Sequence, residues 1–391
     1  MDKWNRNVIV IALYVLIFFF SQVLVQAKEE APSIVKLRIL ETTDLHANMM
    51  DYDYYQDKST VEYGLARTSI LIKEARAEVK NSLLFDNGDF LQGNPLADYI
   101  ATIKGLKRNE VHPVIKIMNL LHYDAGTFGN HEFNYGLDFF YFAISKAKFP
   151  FVNANLYKVD HNSNELDDRN MFLPYKILNK TVKDENGKRT KLKVGVIGFV
   201  TPETMIWEKK HIGGIIKAKD IVSTAEAFVP KMKKDGADII IALTHSGFEA
   251  SALPYRMEGN VVLPLSKIEG IDAILFGHRH AVFPSKHVFF KGVKGVNLKN
   301  GRINGVAAVC AGYWGNNLGV IDLTIKKEKG QWKVIDSHSE ARPIAKSTTI
   351  AGKTVISPLV HKIDQKIVNI IKKVHDETIR FVRSTIGKAN E

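Results

Sequence analysis

Five short stretches follow one another in a fixed order: Asp44-Leu45-His46, Gly88-Asp89, Gly129-Asn130-His131-Glu132, Thr244-His245 and Gly277-His278-Arg279-His280. Together they offer seven oxygen and nitrogen donors (Asp44, His46, Asp89, Asn130, His245, His278, His280) and one surplus imidazole, His131. Carboxylate, amide and imidazole donors in this mixture suit divalent cations, and a central carboxylate can bridge two of them. Two such ions about 3.5–4 Å apart make water a competent nucleophile and neutralise phosphoryl oxygens, the two obstacles to cleaving a phosphate ester. Asp89 is the natural bridge. Asp44, His46 and His280 would complete one ion, and Asn130, His245 and His278 the other. His131 sits beside a ligand but outside the count, free to give or take a proton.

Singly, most of these pieces are weak. Asp-x-His more often marks a loop or a satisfied polar pair, Gly88-Asp89 can be a turn, and Thr244-His245 alone says little. Gly-Asn-His-Glu is the most specific element, and the ordered set carries the reading. Eight further histidines (His112, His122, His161, His211, His287, His338, His361 and His375) lack such a setting and read as surface or core residues.

The elements that must position these donors are legible nearby. Apolar runs precede them: Lys36 to Leu40 before Asp44, Leu83 to Phe85 before Asp89, Ile239 to Leu243 before His245, and Ile271 to Phe276 before His278. Their length and β-branched content predict buried strands, with the donors in loops at the strand ends. Asp44 and His46 are two residues apart, as are His278 and His280, so extended segments would point each pair the same way. Helical stretches at Tyr63 to Val79, Val114 to Leu121 and Ile221 to Met232 alternate with the strands, the pattern of an α/β core. A hydrophobic content of 45% over 391 residues suffices for a large core.

In their wider context, Leu40 to His46 (LETTDLH), Asp86 to Leu96 (DNGDFLQGNPL), Gly129 to Leu137 (GNHEFNYGL) and Ala311 to Gly315 (AGYWG) resemble the calcineurin-like metallophosphatases of the 5′-nucleotidase superfamily. Within it they look like the bacterial bifunctional 2′,3′-cyclic-nucleotide 2′-phosphodiesterase/3′-nucleotidases. The resemblance runs from about residue 35 to the C-terminus. It implies a four-layer αββα sandwich and two divalent metal ions (Mn, Zn, Co or Fe) on the seven donors, with His131 assisting catalysis. It also implies two hydrolyses in one site, from cyclic nucleotide to 3′-nucleotide and then to nucleoside and phosphate. The 5′-nucleotidases of the superfamily typically carry Asp where this chain has Asn134, which favours the cyclic-nucleotide branch. A 5′-nucleotidase or broad phosphodiesterase is the alternative.

Lys3 and Arg6, the apolar stretch from Val8 to Phe20, and Val25-Gln-Ala27 predict a signal peptide over residues 1–27 and a periplasmic or secreted enzyme. Membrane contact would follow only from an uncleaved leader. A formal charge of +12 favours anionic nucleotide substrates, yet the basic residues are scattered without interleaved aromatics, so no specific nucleic-acid binding is expected. The lone Cys310, in Val306 to Ala311, reads as a buried strand residue. Lys183 to Lys193, around Asn186-Gly187, predicts a hairpin turn.

The catalytic domain is expected over residues 28–345 and a linker helix over 346–391. Ser357-Pro358 reads as N-cap and first helical residue, and Val360, Ile363, Ile367, Ile370, Ile371 and Val374 recur at helical spacing, leaving an apolar face that must fold back or find a partner. The resembled family places a nucleoside-gripping second domain after such a helix. It is expected to be absent here, or supplied as a separate C-terminal domain chain; the other expectation is an impaired fragment that needs it.

Overall fold

The computed structural model describes residues 33–384 apart from Ser163, Glu165 and Ala351. The expected signal peptide lies outside the described residues. Among those described, no helix is long and apolar enough to cross a membrane.

Along the chain come β1 (Ile34–Thr42), α1 (Leu65–Ala77), β2 (Ser82–Asp86), α2 (Pro113–Leu120), β3 (Ala125–Gly126) and α3 (Leu137–Ile144). The hairpin β4 (Tyr175–Lys183) and β5 (Arg189–Val200) follows, then α4 (Thr204–Trp207), α5 (Lys209–Ile212), α6 (Ile221–Lys234), β6 (Ile239–His245) and β7 (Ala273–Phe276). The last part holds β8 (Val306–Ala311), β9 (Asn317–Glu328), β10 (Gln331–Pro343), β11 (Ala345–Ile350), β12 (Lys353–Pro358) and α7 (Gln365–Val382).

Two mixed sheets form. The first has the order β10–β9–β1–β2–β3, the second runs β8–β7–β6–β5–β4 with short strands added beyond β8. In each, the strands that feed the candidate donors are parallel: β1 with β2, β2 with β3, β6 with β7. Parallel strands are buried on both faces, and β6 shows why its sequence reads as a continuous apolar run. Ile239, Ile241 and Leu243 point into the layer between the sheets, with Leu37, Ile39, Phe85 and Val309. Ile240 and Ala242 point the other way, onto Val222, Ala225 and Val229 of α6. Leu40 and Leu84 of the first sheet pack outward against helices α1, α2, α3 and α7. Helix, sheet, sheet, helix is the four-layer order expected.

Asp220 caps α6, its carboxylate accepting from Ser223 N–H at 2.8 Å. The turn at Asn186-Gly187 closes the β4–β5 hairpin as expected, with Lys183 opposite Arg189. Cys310 is fully buried in β8.

The C-terminal segment departs from expectation. Ser357 and Pro358 do not start a helix: they close β12, where Ser357 pairs with Lys346 of β11. The β-branched run Thr354-Val355-Ile356 favours the ladder, and a proline at a strand end is as acceptable as one at a helix start. The anticipated boundary at residue 345 falls on the first residue of β11. The helix begins after Asp364, whose carboxylate accepts from Lys366 N–H at 3.0 Å. Its apolar face folds back, burying Ile367, Ile371 and Val374 in the layer shared with α1, α2 and α3.

Candidate metal centre

Every candidate donor sits at the C-terminal end of a parallel strand. Asp44 and His46 follow β1, Asp89 follows β2, Asn130 and His131 follow β3, His245 ends β6, and His278 and His280 follow β7. The segments are not extended, as the two-residue spacing suggested. Asp44, His46, Asp89, His278 and His280 all hold left-handed backbone, with φ of 50°, 45°, 58°, 71° and 53°. Non-glycine residues adopt this region at a cost and do so most often at functional sites. Backbone hydrogen bonds hold the bends: Asp44 N–H donates to Gly88 O at 2.9 Å and His46 N–H to Asp89 O at 2.8 Å. His278 N–H donates to the Asp44 carboxylate at 3.1 Å.

The result is one cluster, buried at Asp44, His46, Asp89, Asn130 and His245, half-buried at His278 and open to solvent at His280. Donor atoms of Asp44, His46 and His280 lie within 4.8 Å of one another, as do those of Asp44, Asp89 and His245. Asp89 Oδ2 is 3.1 Å from His245 Nε2 and 3.8 Å from His46 Nε2. His280 Nε2 is 3.4 Å from Asp44 Oδ1 and 3.0 Å from His46 Nε2. Asn130 Oδ1 is 3.1 Å from His278 Nδ1. A nitrogen of His131 comes within the same 4.8 Å reach of His46 and Asp89.

Hydrogen bonds behind the imidazoles select their tautomers. His46 Nδ1–H donates to Gln92 O at 2.7 Å and His245 Nδ1–H to Asn87 O at 2.8 Å, so both present Nε2 to the cluster. Burial pushes His46 and His278 down, His278 to about 4, so both are neutral candidate donors at pH 7. Burial opposes charge on His245 too, yet the Asp89 and Asp44 carboxylates outweigh it and raise that imidazole to about 10. Burial alone would raise Asp44 and Asp89; His245 beside them holds both below the usual carboxylate range.

Do these residues fit a pair of cations? His245 Nε2 is fully buried and, at 3.1 Å, does not meet Asp89 Oδ2 as a hydrogen bond. Ligand atoms of Asp44, Asp89 and His245 lie within 4.8 Å of one another, a spacing that a shared positive charge would satisfy. Space is reserved as well, since a Cβ on Gly129 would lie 2.1 Å from Asp89 Oδ1 and 2.7 Å from His245 Cε1. The donor set and its geometry fit divalent metal binding.

Several supporting residues were not anticipated from the sequence. Glu132 is buried and accepts four backbone N–H bonds, from Asp89 (2.8 Å), Phe90 (2.7 Å), Leu91 (3.2 Å) and Gly129 (2.6 Å). Burial and then Asp89 push its carboxyl up, while the four donors favour the ionised form. Its place in Gly-Asn-His-Glu was the available signal. Tyr313 stacks on His280 (4.8 Å, 16°), which gives the Ala311 to Gly315 stretch a role, and Trp207 stacks on His278 (5.5 Å, 26°). His131 Nδ1–H donates to Asn134 Oδ1 at 2.7 Å, and Asn134 Nδ2–H donates to Glu208 Oε1 at 2.7 Å. Nothing in the sequence marked Trp207 or Glu208, which lie far from the motifs they serve. Of the eight remaining histidines, His112 caps α2 and His375 accepts from Tyr54 O–H at 2.7 Å, both away from the cluster.

The sequence profile of calcineurin-like phosphoesterases matches residues 37–282. The chain is 48% identical over 356 residues to the 2′,3′-cyclic-nucleotide 2′-phosphodiesterase/3′-nucleotidase of Salmonella typhimurium, covering 91% of this chain and 52% of that protein. It is 43% identical over 367 residues to the protein of that name from Haemophilus influenzae, covering 93% and 53%. It thus spans about half the length of these relatives. The crystal structure of calcineurin-like phosphoesterase YfkN from Bacillus subtilis superposes with a TM-score of 0.80 at 45% identity, over 90% of this chain and all of that one.

Proposed function

The chain belongs to the calcineurin-like phosphoesterase family, and on that premise we propose that it hydrolyses 2′,3′-cyclic nucleotides to 3′-nucleotides and these to nucleoside and phosphate. The observation that carries this reading is the convergence of Asp44, His46, Asn130, His245, His278 and His280 around the Asp89 carboxylate. The names of relatives at 43–48% identity support the cyclic-nucleotide branch, as does Asn134.

Asp89 would be shared by two cations, with Asp44, His46 and His280 on one side and Asn130, His245 and His278 on the other. Bound there, Mn, Zn, Co or Fe would supply Lewis acidity and an activated water. The remaining chemistry falls to the chain. Asp89 Oδ1 accepts from the His131 backbone N–H at 2.8 Å and so ties that residue's backbone to the bridging carboxylate. With Nδ1 held by Asn134, His131 has Nε2 free to carry a proton. As water oxygen bonds to phosphorus and the P–O2′ bond breaks, His131 would give that proton to O2′, and the proton released by the attacking water would reload Nε2. A second water would cleave P–O3′ in the same way, and Asn134 would hold the Nδ1–H tautomer left behind each time. The apolar N-terminal stretch supports export to the periplasm or medium.

Hydrolysis of 2′,3′-cyclic AMP, 3′-AMP, 5′-AMP and bis-p-nitrophenyl phosphate with added Mn²⁺, and Asp89→Asn as blank, tests the reading. Turnover of the first two over 5′-AMP is expected. A preference for 5′-AMP would favour a 5′-nucleotidase, and activity on the nitrophenyl ester alone would favour a broad phosphodiesterase lacking a nucleoside grip. No activity on any ester would sink the hydrolase reading.

A further inference from the structure

His131, Asn134 and Glu208 form a chain of hydrogen bonds leading away from the metal centre, and its inner end is decided by its outer one. An asparagine amide is nearly symmetric in shape, so by space alone either end could face His131. The two choices differ in consequence. An amide oxygen facing Nδ1 demands a proton there and leaves Nε2 to the reacting atoms. An amide NH₂ facing Nδ1 demands a lone pair there, which forces the proton of a neutral ring onto Nε2.

Glu208 removes the ambiguity. A carboxylate only accepts, so the Asn134 NH₂ must turn towards Glu208 Oε1 (2.7 Å) and its oxygen towards His131 Nδ1 (2.7 Å). Glu208 is itself well placed to be a fixed reference. It is 5% exposed, at the junction of α4 and α5, with its N–H on Thr204 O (2.9 Å) and its carbonyl accepting from His211 N–H (2.8 Å) and Ile212 N–H (3.0 Å).

We propose that Glu208 is a positioning residue that acts through Asn134 to fix the tautomer and orientation of His131. The inference rests on the catalytic reading of His131 given above. It also makes Asn134 and Glu208 a matched pair. An aspartate at position 134 would accept from His131 with either oxygen and need no outer partner, and it would face the Glu208 carboxylate across a hydrogen-bond distance. The pair should therefore be exchangeable only as a pair.

The test uses the full chain with Mn²⁺ and 2′,3′-cyclic AMP. Glu208→Ala should lower kcat about 10- to 100-fold, within the range of a general acid's contribution, with KM and bound metal unchanged. Glu208→Gln retains an acceptor and should recover most of the loss. Asn134→Asp alone should be impaired by carboxylate repulsion, and Asn134→Asp with Glu208→Gln should regain activity. An independent readout is ¹⁵N NMR of histidine-labelled protein, with the His131 signals identified by their loss in His131→Ala. A ring protonated at Nδ1 is expected in the wild type, and a mixture of Nδ1–H and Nε2–H tautomers in Glu208→Ala.

A Glu208→Ala protein with wild-type kcat and tautomer overturns the proposal. So does a double variant no better than Asn134→Asp, and this arm stands even if Glu208→Ala fails to fold. A wild-type chain inactive on every ester would overturn the catalytic reading instead, while the tautomer measurement would still decide whether Glu208 sets the ring.

Discussion

The Asp89 carboxylate meets His245 Nε2 at 3.1 Å and His46 Nε2 at 3.8 Å through Oδ2, and accepts from His131 N–H through Oδ1. It reaches donors assigned to both proposed cation positions, His46 on one side and His245 on the other. Asp89→Asn should therefore empty both, not one. Metal analysis of the dialysed variant is expected to show far less than the two ions per chain proposed for the wild type, with hydrolysis down at least a hundredfold. Retention of a full ion would assign the bridge to another residue. His131→Ala is the counterpart: turnover should fall about 10²- to 10⁴-fold with metal content near two ions per chain, and loss of metal would make His131 a ligand. Glu132 works differently, through the backbone. Its two oxygens serve four N–H groups, and a Gln would offer one carbonyl oxygen in their place. Glu132→Gln should cost about 1–3 kcal/mol of stability by leaving buried donors unpaired, measurable as a lower urea midpoint, and should weaken metal binding because the Asp89 loop loses its clasp.

Helix α2 depends on a histidine that the sequence left as ordinary. His112 caps it, Nδ1 accepting from Val114 N–H at 3.3 Å, while Nε2 is buried with no hydrogen-bond partner. Burial, aided by Lys104, pushes the imidazole down to about 3. The unfolded chain takes up that proton near pH 6.5 and the folded chain only near 3, so between these values the unfolded state binds more protons. Stability should fall as pH drops through that window, by up to about 1.4 kcal/mol per pH unit. His112→Asn, which keeps a capping acceptor, should flatten this dependence in urea titrations at pH 7, 6 and 5; an unchanged slope would show that other groups set it. At this scale the sequence was informative where a strand is buried on both faces. The apolar runs before Asp44, Asp89, His245 and His278 each became the strand expected. It misled at Ser357-Pro358, where a local cap signal lost to strand pairing with β11. It also misled at the donors, because two-residue spacing implies a shared face only for extended backbone, and these residues are left-handed. Glu208 and Trp207 were out of reach for another reason. Their partners, Asn134 and His278, are about 70 residues away, and no local pattern records such a contact.

For the molecule as a whole, α7 folds back over the first sheet and buries its apolar face in the helical layer there. The chain spans about half the length of its relatives, and within it the net charge is one source of attraction for the proposed anionic substrates. That charge is +12 over the chain, and exposed Lys209 and Lys210 lie on α5, immediately after Glu208. A field of this sign raises encounter rates with anions and is screened by salt, with a Debye length of about 10 Å at 0.1 M. The two proposed substrates carry different charges. A 2′,3′-cyclic nucleotide has a single phosphodiester charge, whereas a 3′-nucleotide monoester is close to dianionic at pH 8, above its second pKa of about 6. Long-range attraction scales with the product of charges, so kcat/KM for 3′-AMP should fall about twice as steeply with ionic strength as kcat/KM for 2′,3′-cyclic AMP. The measurement is kcat/KM at pH 8 from 20 to 300 mM NaCl, with kcat at saturation expected to stay flat for both. Parallel slopes for the two substrates would mean that contacts at the centre, and not the charge of the whole molecule, bring the nucleotide in.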